Sequence, residues 1–311
     1  MDFARHGIDG MRKSSRFSPD QFMNDLEQLC LTVEVPYSEQ TTKKVLAAYS
    51  TSFQRGAVQW RFTDRPGDPI NYRFYERETL DTIQPAITAS LLEVENPMIP
   101  IFQSWARLWD GAPIQLCDFD AQQGLSKSWL YLRGLRKLDE ILNAPGVPKT
   151  VLQHRDTFHN LNLTHVRYVA VDFKAHTVNF YFRAPGPLTY EQATKYVALA
   201  GSPPPTVQDY EEMASVLSPD GFAFAVTIKV STGSIGRVGI YAVKFSADSV
   251  IASQNRTLGR FFTVAPSYDE EDLNVVSWSY AKSGKSYMKG ERSYCGELNQ
   301  VLESWSSDFC S

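Results

Sequence analysis

Five times along the chain, two runs of alternating apolar and polar residues are joined by a short turn. The pairs begin near residues 56, 112, 165, 222 and 274, and a repeat of about 55 residues constrains architecture before any single residue does. They are GAVQWRFT with INYRFYER, PIQLCDF with SKSWLYLRG, HVRYVAV with TVNFYFR, GFAFAVTIKV with GRVGIYAV, and NVVSWSY with SYMKGERSY. Each run has the two-residue period of a strand, and turn signals such as DRPGDP connect the first pair. Helical segments lie between and before the hairpins. Ser18-Pro19 predicts a helix start ahead of Phe22, Leu26 and Leu29, and a second helix is expected over 39–51. TYEQATKYVALAG carries a capping-box pair, Thr189 and Gln192, and ends on Gly201, while VQDYEEMASVL follows the break SPPPT. The expectation is an α+β fold: a closed ten-stranded antiparallel β-barrel surrounded by α-helices in αββα repeats, one domain over 1–311 with 1–17 flexible. Closure removes the exposed edges that ten antiparallel strands would otherwise present.

If helices cover the barrel, the apolar face of each strand points outward and the polar face lines the lumen. That phase puts Arg61 with Gln59, opposite Val58, Trp60 and Phe62, and puts Arg73 on one face with Arg77. It groups Lys127, Trp129, Tyr131 and Arg133, and sets Arg167 opposite Val166 and Tyr168. Thr177, Asn179, Tyr181 and Arg183 share a face, as do Thr227 and Lys229, Arg237 and Tyr241, and Lys289, Glu291 and Ser293. Any one of these cations, taken alone, reads better as a strand-end residue reaching solvent or pairing with an acid. Recurrence of the same phase in every hairpin favours a cationic lumen.

The 311 residues carry 31 Lys and Arg against 35 Asp and Glu, a net charge of −4, which offers no basic surface for nucleic acid. No apolar run is long enough to span a membrane, and the first residues lack a signal-peptide core. Cys30, Cys117, Cys295 and Cys310 form no CxxC pair, so buried free thiols and a reducing, cytoplasmic setting are expected. Cations crowded into one cavity repel each other unless an anion neutralises them, and a diphosphate supplies that charge through several charge-assisted hydrogen bonds. Aromatic faces on the same strands, Trp129, Tyr181 and Tyr241, stabilise a carbocation. Diphosphate departure and cation shielding together describe ionisation of an allylic diphosphate.

Over QRGAVQWRFTDRPGDPINYRFYER, PIQLCDFDAQQGLSKSWLYLRGLR, THVRYVAVDF with VNFYFRAPGPL, VTIKVSTGSIGRVGIYAVK, and FFTVAPSYDEEDLNVVSWSY with ERSY, the chain resembles the ABBA aromatic prenyltransferases. It is most similar to their metal-independent CloQ branch. The resemblance implies dimethylallyl diphosphate as donor, an electron-rich aromatic small molecule (hydroxynaphthalene, phenazine or 4-hydroxyphenylpyruvate type) as acceptor, and a monomer. It implies a diphosphate site from Arg61, Arg73, Lys127, Arg167, Arg183, Arg237 and Lys289, with Tyr181 and Tyr241 nearby. Lys229, Trp129, Asn179 and Ser277 complete the expected substrate-binding set. Glu291, in KGERSY, matches the glutamate that contacts a phenolic acceptor and helps deprotonate it; a salt bridge to Lys289 or Arg73 is its structural alternative. Magnesium-dependent members have an aspartate where this chain has Arg73, so no metal cofactor is expected.

SGKS at 283–286 lacks the upstream glycine of a P-loop, and DEED at 269–272 is not a DDxxD motif. The five histidines have no metal-ligand spacing, and His154 and His159 are expected on a helix surface. Two other functions stay open: a non-catalytic carrier of a hydrophobic anion, and a cyclase or phosphatase acting on a prenyl diphosphate alone.

Overall fold

The structure, a computed structural model, describes residues 16–109, 113–244 and 255–305. Its strands are β1 (Ala57–Thr63), β2 (Asn71–Tyr75), β3 (Ile114–Asp120), β4 (Gly124–Lys137), β5 (His165–Asp172), β6 (Thr177–Pro185), β7 (Gly221–Lys229), β8 (Ile235–Val243), β9 (Asn274–Ala281) and β10 (Ser286–Cys295). Each pairs with its neighbour in sequence, and β1 closes onto β10, giving one ten-stranded antiparallel barrel. The closing register sets Arg61 opposite Glu291 and Thr63 opposite Lys289.

The layer between barrel wall and helices is the main apolar core. Trp60, Tyr72, Phe74, Phe119, Phe180, Phe182 and Phe224 all point outward into it and are fully buried. The helix Pro19–Val33 starts where Ser18 accepts a hydrogen bond from Gln21 N, and it brings Phe22 onto Trp60 with ring centroids 4.8 Å apart. Burying one such ring contributes roughly 1.5–3 kcal/mol. A second apolar cluster lies inside the barrel. Tyr75, Leu116, Trp129, Tyr131 and Tyr181 meet Leu298, Val301, Leu302 and Trp305, supplied by the helix Leu298–Ser304 and the residue after it. Trp305 stacks on Tyr131 at 4.3 Å.

Some local expectations change. The helix expected over 39–51 is two, Glu39–Ala48 and Ser50–Arg55. Tyr49 leaves helical geometry between them and packs its ring against Phe74 and Phe119. Thr189 does cap the helix Tyr190–Ala198, but the Gln192 amide turns away to Pro185 O and Tyr196 Oη. The reciprocal box belongs instead to Thr206 and Asp209. Phe17 packs against Phe22 and Phe53; residues 1–15 of the stretch expected to be flexible lie outside the described residues. DEED is structural: Asp269 accepts from Glu297 N and Leu298 N, and Asp272 pairs with Arg292. His154 is held by Gly233 O at 2.5 Å and His159 pairs with Asp139. Cys30, Cys117 and Cys295 are buried free thiols, while Cys310 lies outside the described residues. No described helix is long and apolar enough to cross a membrane.

The helix Arg256–Val264 lies so close to β10 that a Cβ on Gly290 would meet Phe262 ring carbons at 2.8 and 3.0 Å. Gly290→Val should therefore lower the unfolding free energy by about 1–3 kcal/mol. A urea unfolding midpoint equal to wild type would show that the helix yields without cost.

Candidate active site

Along its axis the lumen changes character. At one end Arg61, Lys127, Arg237 and Lys289 line a polar cavity of about 680 Å³, together with Asn71, Asp172 and Tyr287. Farther in, Trp129, Tyr168, Tyr181, Tyr241 and Leu116 line an apolar chamber of about 660 Å³, where Gln59, Arg73 and Glu291 supply the polar groups. Leu302 belongs to its floor. Depth along each strand produces the division: in β10 Lys289 lines the mouth and Glu291, two residues farther along the same face, lines the chamber.

The mouth is crowded with charge. Asp118, 1% exposed, accepts from Arg61 Nη1 at 3.0 Å and from Arg73 through Nε and, at 3.2 Å, Nη2. Burial alone would raise its carboxyl, but Arg73 and Arg61 outweigh that and hold it at about 2. Asp172 lies 3.7 Å from Lys127. Arg237 and Lys289 have no carboxylate within 4 Å among the described residues; their partners are hydroxyls. Arg237 donates to Tyr287 at 2.7 Å and Thr227 at 3.2 Å, and Lys289 donates to Tyr241 at 3.2 Å. Burial pushes the Lys289 ammonium well below its ordinary range, helped by repulsion from Arg237, Arg61 and Lys127. Burial likewise brings Lys127 down to about 8, with Arg237 acting in the same direction.

Arg73 plays a different part from the mouth cations. It is buried, spans Asp118 to Tyr75, and its guanidinium lies 4.2 Å from the Trp129 ring centroid. Its Nη1 is 3.7 Å from Glu291, so the ion pair weighed as Glu291's alternative role is present. Trp129 stands 4.4 Å from Tyr181, and Tyr181 stands 5.9 Å from Tyr241. Asn179 is buried beside Thr227, which donates to its Oδ1 at 2.6 Å. Ser277 is buried between Lys289 and Tyr241, its register partners on the two sides.

Three expected cations are not brought to this mouth. Uniform alternation puts Arg167 in the lumen, but a bulge between Val166 and Tyr168 shifts the phase. Tyr168 becomes the lumen residue, and Arg167 goes instead to a separate cavity with Tyr131, Arg133 and Trp305 near the barrel floor. Arg183 keeps the lumen phase but sits six residues from Thr177, roughly 20 Å along β6; its Nη2 donates to Asp220 O at 3.2 Å. Lys229 pairs with Thr177 at the mouth end, where it is exposed on the rim. Arg77 and Arg133 also fall outside the lumen. Arg77 lies beyond β2 and donates to Arg55 O and Gly296 O, and Arg133 sits at a positive φ of 54° in an irregular stretch of β4.

Several site residues escaped the sequence reading. Asp118 and Asp172 share the lumen phase, and the alternation that marks the cations marks them too; attention to positive charge alone hid them. Tyr75 was within reach of the same rule. Leu302 and Trp305 were not, because no local pattern says that the last described helix closes the barrel floor. Among the described residues no group of three or more His, Cys, Asp or Glu is placed to hold a metal ion.

The family model for the aromatic prenyltransferase Orf2 matches residues 17–306. The chain belongs to this family. An aromatic prenyltransferase of Sclerotinia sclerotiorum is 47% identical over 303 residues, covering 96% of this chain and 98% of the relative. The 4-hydroxyphenylpyruvate 3-dimethylallyltransferase of Streptomyces niveus is 37% identical over 296 residues, covering 95% and 91%. Among solved structures, 5-dimethylallyl tryptophan synthase from Streptomyces coelicolor, in complex with DMASPP and Trp, superposes with a TM-score of 0.54 at 10% identity, covering 90% of this chain and 94% of that one. NotF, in complex with brevianamide F and DMSPP, gives 0.55 at 10% identity, covering 94% and 97%. At such identities the structural likeness concerns the barrel fold alone. Family membership makes the protein an aromatic prenyltransferase, and the expected barrel and transferase class hold.

Lys127 yields a pH test. A lysine titrating near 8 is mostly charged at pH 7 and mostly neutral at pH 9, so a polyanion binding at pH 9 must first restore its proton. In Lys127→Arg the charge persists throughout. The ratio of the wild-type to the Lys127→Arg dissociation constant for inorganic pyrophosphate should rise about tenfold from pH 7 to pH 9. The ligand's own titration cancels in that ratio, so a constant ratio would remove Lys127 from the anion site.

Proposed function

We propose that the protein transfers a dimethylallyl group from dimethylallyl diphosphate to an electron-rich aromatic ring, without a metal ion. One observation carries the reading: Arg237 and Lys289 converge in a lumen with only hydroxyl partners, beside a chamber walled by Trp129, Tyr181 and Tyr241. A cationic cluster of this kind favours a polyanion, and charge-assisted hydrogen bonds to it contribute about 1.5–3 kcal/mol each. Arg61, Lys127, Arg237 and Lys289 would hold the diphosphate, with Asn179 and Ser277 at its edge. Fixed guanidinium and ammonium groups then neutralise the leaving group where other members use magnesium.

In the reaction the allylic C–O bond breaks and its electron pair leaves with the diphosphate. The cation rests against the aromatic faces of the chamber, each contributing about 0.5–2 kcal/mol. The acceptor ring supplies the pair for the new C–C bond, and loss of one ring proton restores aromaticity and balances the charge of the released diphosphate. Glu291 would take the hydroxyl proton of a phenolic acceptor, raising the ring's electron density as it attacks, and return it to the oxygen as the ring proton is lost. Arg73, 3.7 Å away, orients that carboxylate. Enclosure holds both reactants together and limits quenching by water. The name of the Streptomyces niveus relative makes 4-hydroxyphenylpyruvate the first acceptor to test, ahead of hydroxynaphthalenes and phenazines. One chain supplies the lining of mouth and chamber, in keeping with a monomer, and the buried free thiols are in keeping with a cytoplasmic setting.

The test is incubation with dimethylallyl diphosphate and these acceptors in excess EDTA, read by mass spectrometry. A product one dimethylallyl unit heavier is expected. Glu291→Gln should slow its formation by about 10²–10⁴-fold with donor affinity retained. Product only with added magnesium would contradict metal independence, and tight donor binding without product under either condition would rule out these acceptors.

A further inference from the structure

The chamber contains a polar atom that the reaction just described does not use. Gln59 is 1% exposed and lines the same chamber as Glu291, yet its side-chain Nε2 has no hydrogen-bond partner. A buried amide left unpaired costs free energy, and its orientation decides whether nitrogen or oxygen is left for a ligand. The chemistry of its neighbours fixes that orientation. Arg73 Nη1 donates to Tyr75 Oη at 2.8 Å, and a guanidinium is a donor only. The Tyr75 oxygen therefore accepts, and its single proton goes to the Gln59 side chain, 2.8 Å away. Gln59 must offer its oxygen there, which leaves its NH₂ as the unpaired end of a side chain that lines the chamber.

A chain of fixed polarity thus runs from Asp118 through Arg73 and Tyr75 to Gln59. Asp118, Arg73 and Tyr75 are themselves buried, so little water competes to rotate the amide. The barrel register brings the donor close to Glu291. Gln59 pairs with Ser293 and Arg61 with Glu291, which makes Gln59 and Glu291 diagonal neighbours on one face, typically 7–8 Å apart at Cα. An acceptor hydroxyl between them would donate its proton to the carboxylate and accept from the amide.

We propose that Gln59 is a catalytic residue of the phenolic reaction: its Nε2 donates to the acceptor oxygen and stabilises the negative charge that grows there as the proton moves to Glu291. The assignment rests on the reading of Glu291 as base, and it selects for acceptors with a ring hydroxyl. The proton leaves the hydroxyl for the carboxylate, the oxygen keeps the electron pair, and Gln59 itself exchanges no proton. Removing one such preorganised donor costs on the order of 10²–10³ in rate.

The experiment compares Gln59→Leu and Tyr75→Phe with wild type on two acceptors, a phenol and its methyl ether. Gln59→Leu should slow transfer to the phenol by about 10²–10³-fold and slow transfer to the ether far less. Tyr75→Phe keeps the amide but frees it to turn, so its loss should be smaller and again confined to the phenol. A second readout does not depend on turnover: the absorbance titration of 4-nitrophenol bound with pyrophosphate present. Its ionisation should shift upward by about one pH unit in Gln59→Leu, roughly a tenfold change in the ionisation equilibrium. Equal losses on both acceptors, or an unshifted nitrophenol titration, would overturn the proposal and leave Gln59 a shaping residue. A wild-type enzyme inert toward both acceptors would defeat the proposed reaction, while the nitrophenol shift would still decide the role of Gln59.

Discussion

Everything distinctive about this barrel follows from its helical coat. Because helices pack against the outside, each strand must turn its apolar face outward, and the alternating polar face has only the lumen to occupy. Trp60, Phe74, Phe180 and Phe224 meet the helices, while Arg61, Arg73, Asn179 and Lys289 are carried inside by the same two-residue period. Charges held this way have little water to solvate them. Asp118 answers Arg73 and Arg61, and Asp172 answers Lys127. Arg237 and Lys289 have only hydroxyl partners, and burial, with repulsion from Arg237, Arg61 and Lys127 added to it, depresses the Lys289 ammonium. In the proposed reaction an incoming polyanion would relieve that repulsion.

The division of the lumen along its axis lets opposing demands coexist. Leaving-group departure needs fixed positive charge, whereas a carbocation needs apolar, polarizable surroundings without water. In the proposed reaction the mouth would provide the first and the chamber the second. Arg73 connects them, with its guanidinium over Trp129 and its charge committed to Asp118. It acts less as a free anion ligand than as a rigid partition, holding Tyr75 and the edge of Glu291. The floor of Leu302 and Trp305 closes the chamber at the far end.

Much of this was legible in the sequence, because a strand period of two is a strong signal and it recurs in five hairpins. It found the barrel and the lumen phase of Arg61, Lys127, Arg237, Lys289 and Glu291. It failed where strands depart from regularity. Arg167 obeys simple alternation on paper, but one bulge beside it hands its place to Tyr168. Arg183 and Lys229 have the right phase at the wrong height, since alternation specifies a face and says nothing of depth along the barrel axis. The break of the helix expected over 39–51 at Tyr49, and the closing of the floor by Leu298–Ser304, are tertiary choices that no local pattern encodes.

The central claim is that one lumen separates the charge of the donor from its hydrocarbon. A crystal structure of the protein with dimethylallyl S-thiolodiphosphate, which cannot readily ionise, tests it most directly. The account predicts the diphosphate among Arg61, Lys127, Arg237 and Lys289, with the prenyl tail against Trp129 and Tyr181. A diphosphate bound instead near Arg167, at the floor, would contradict it.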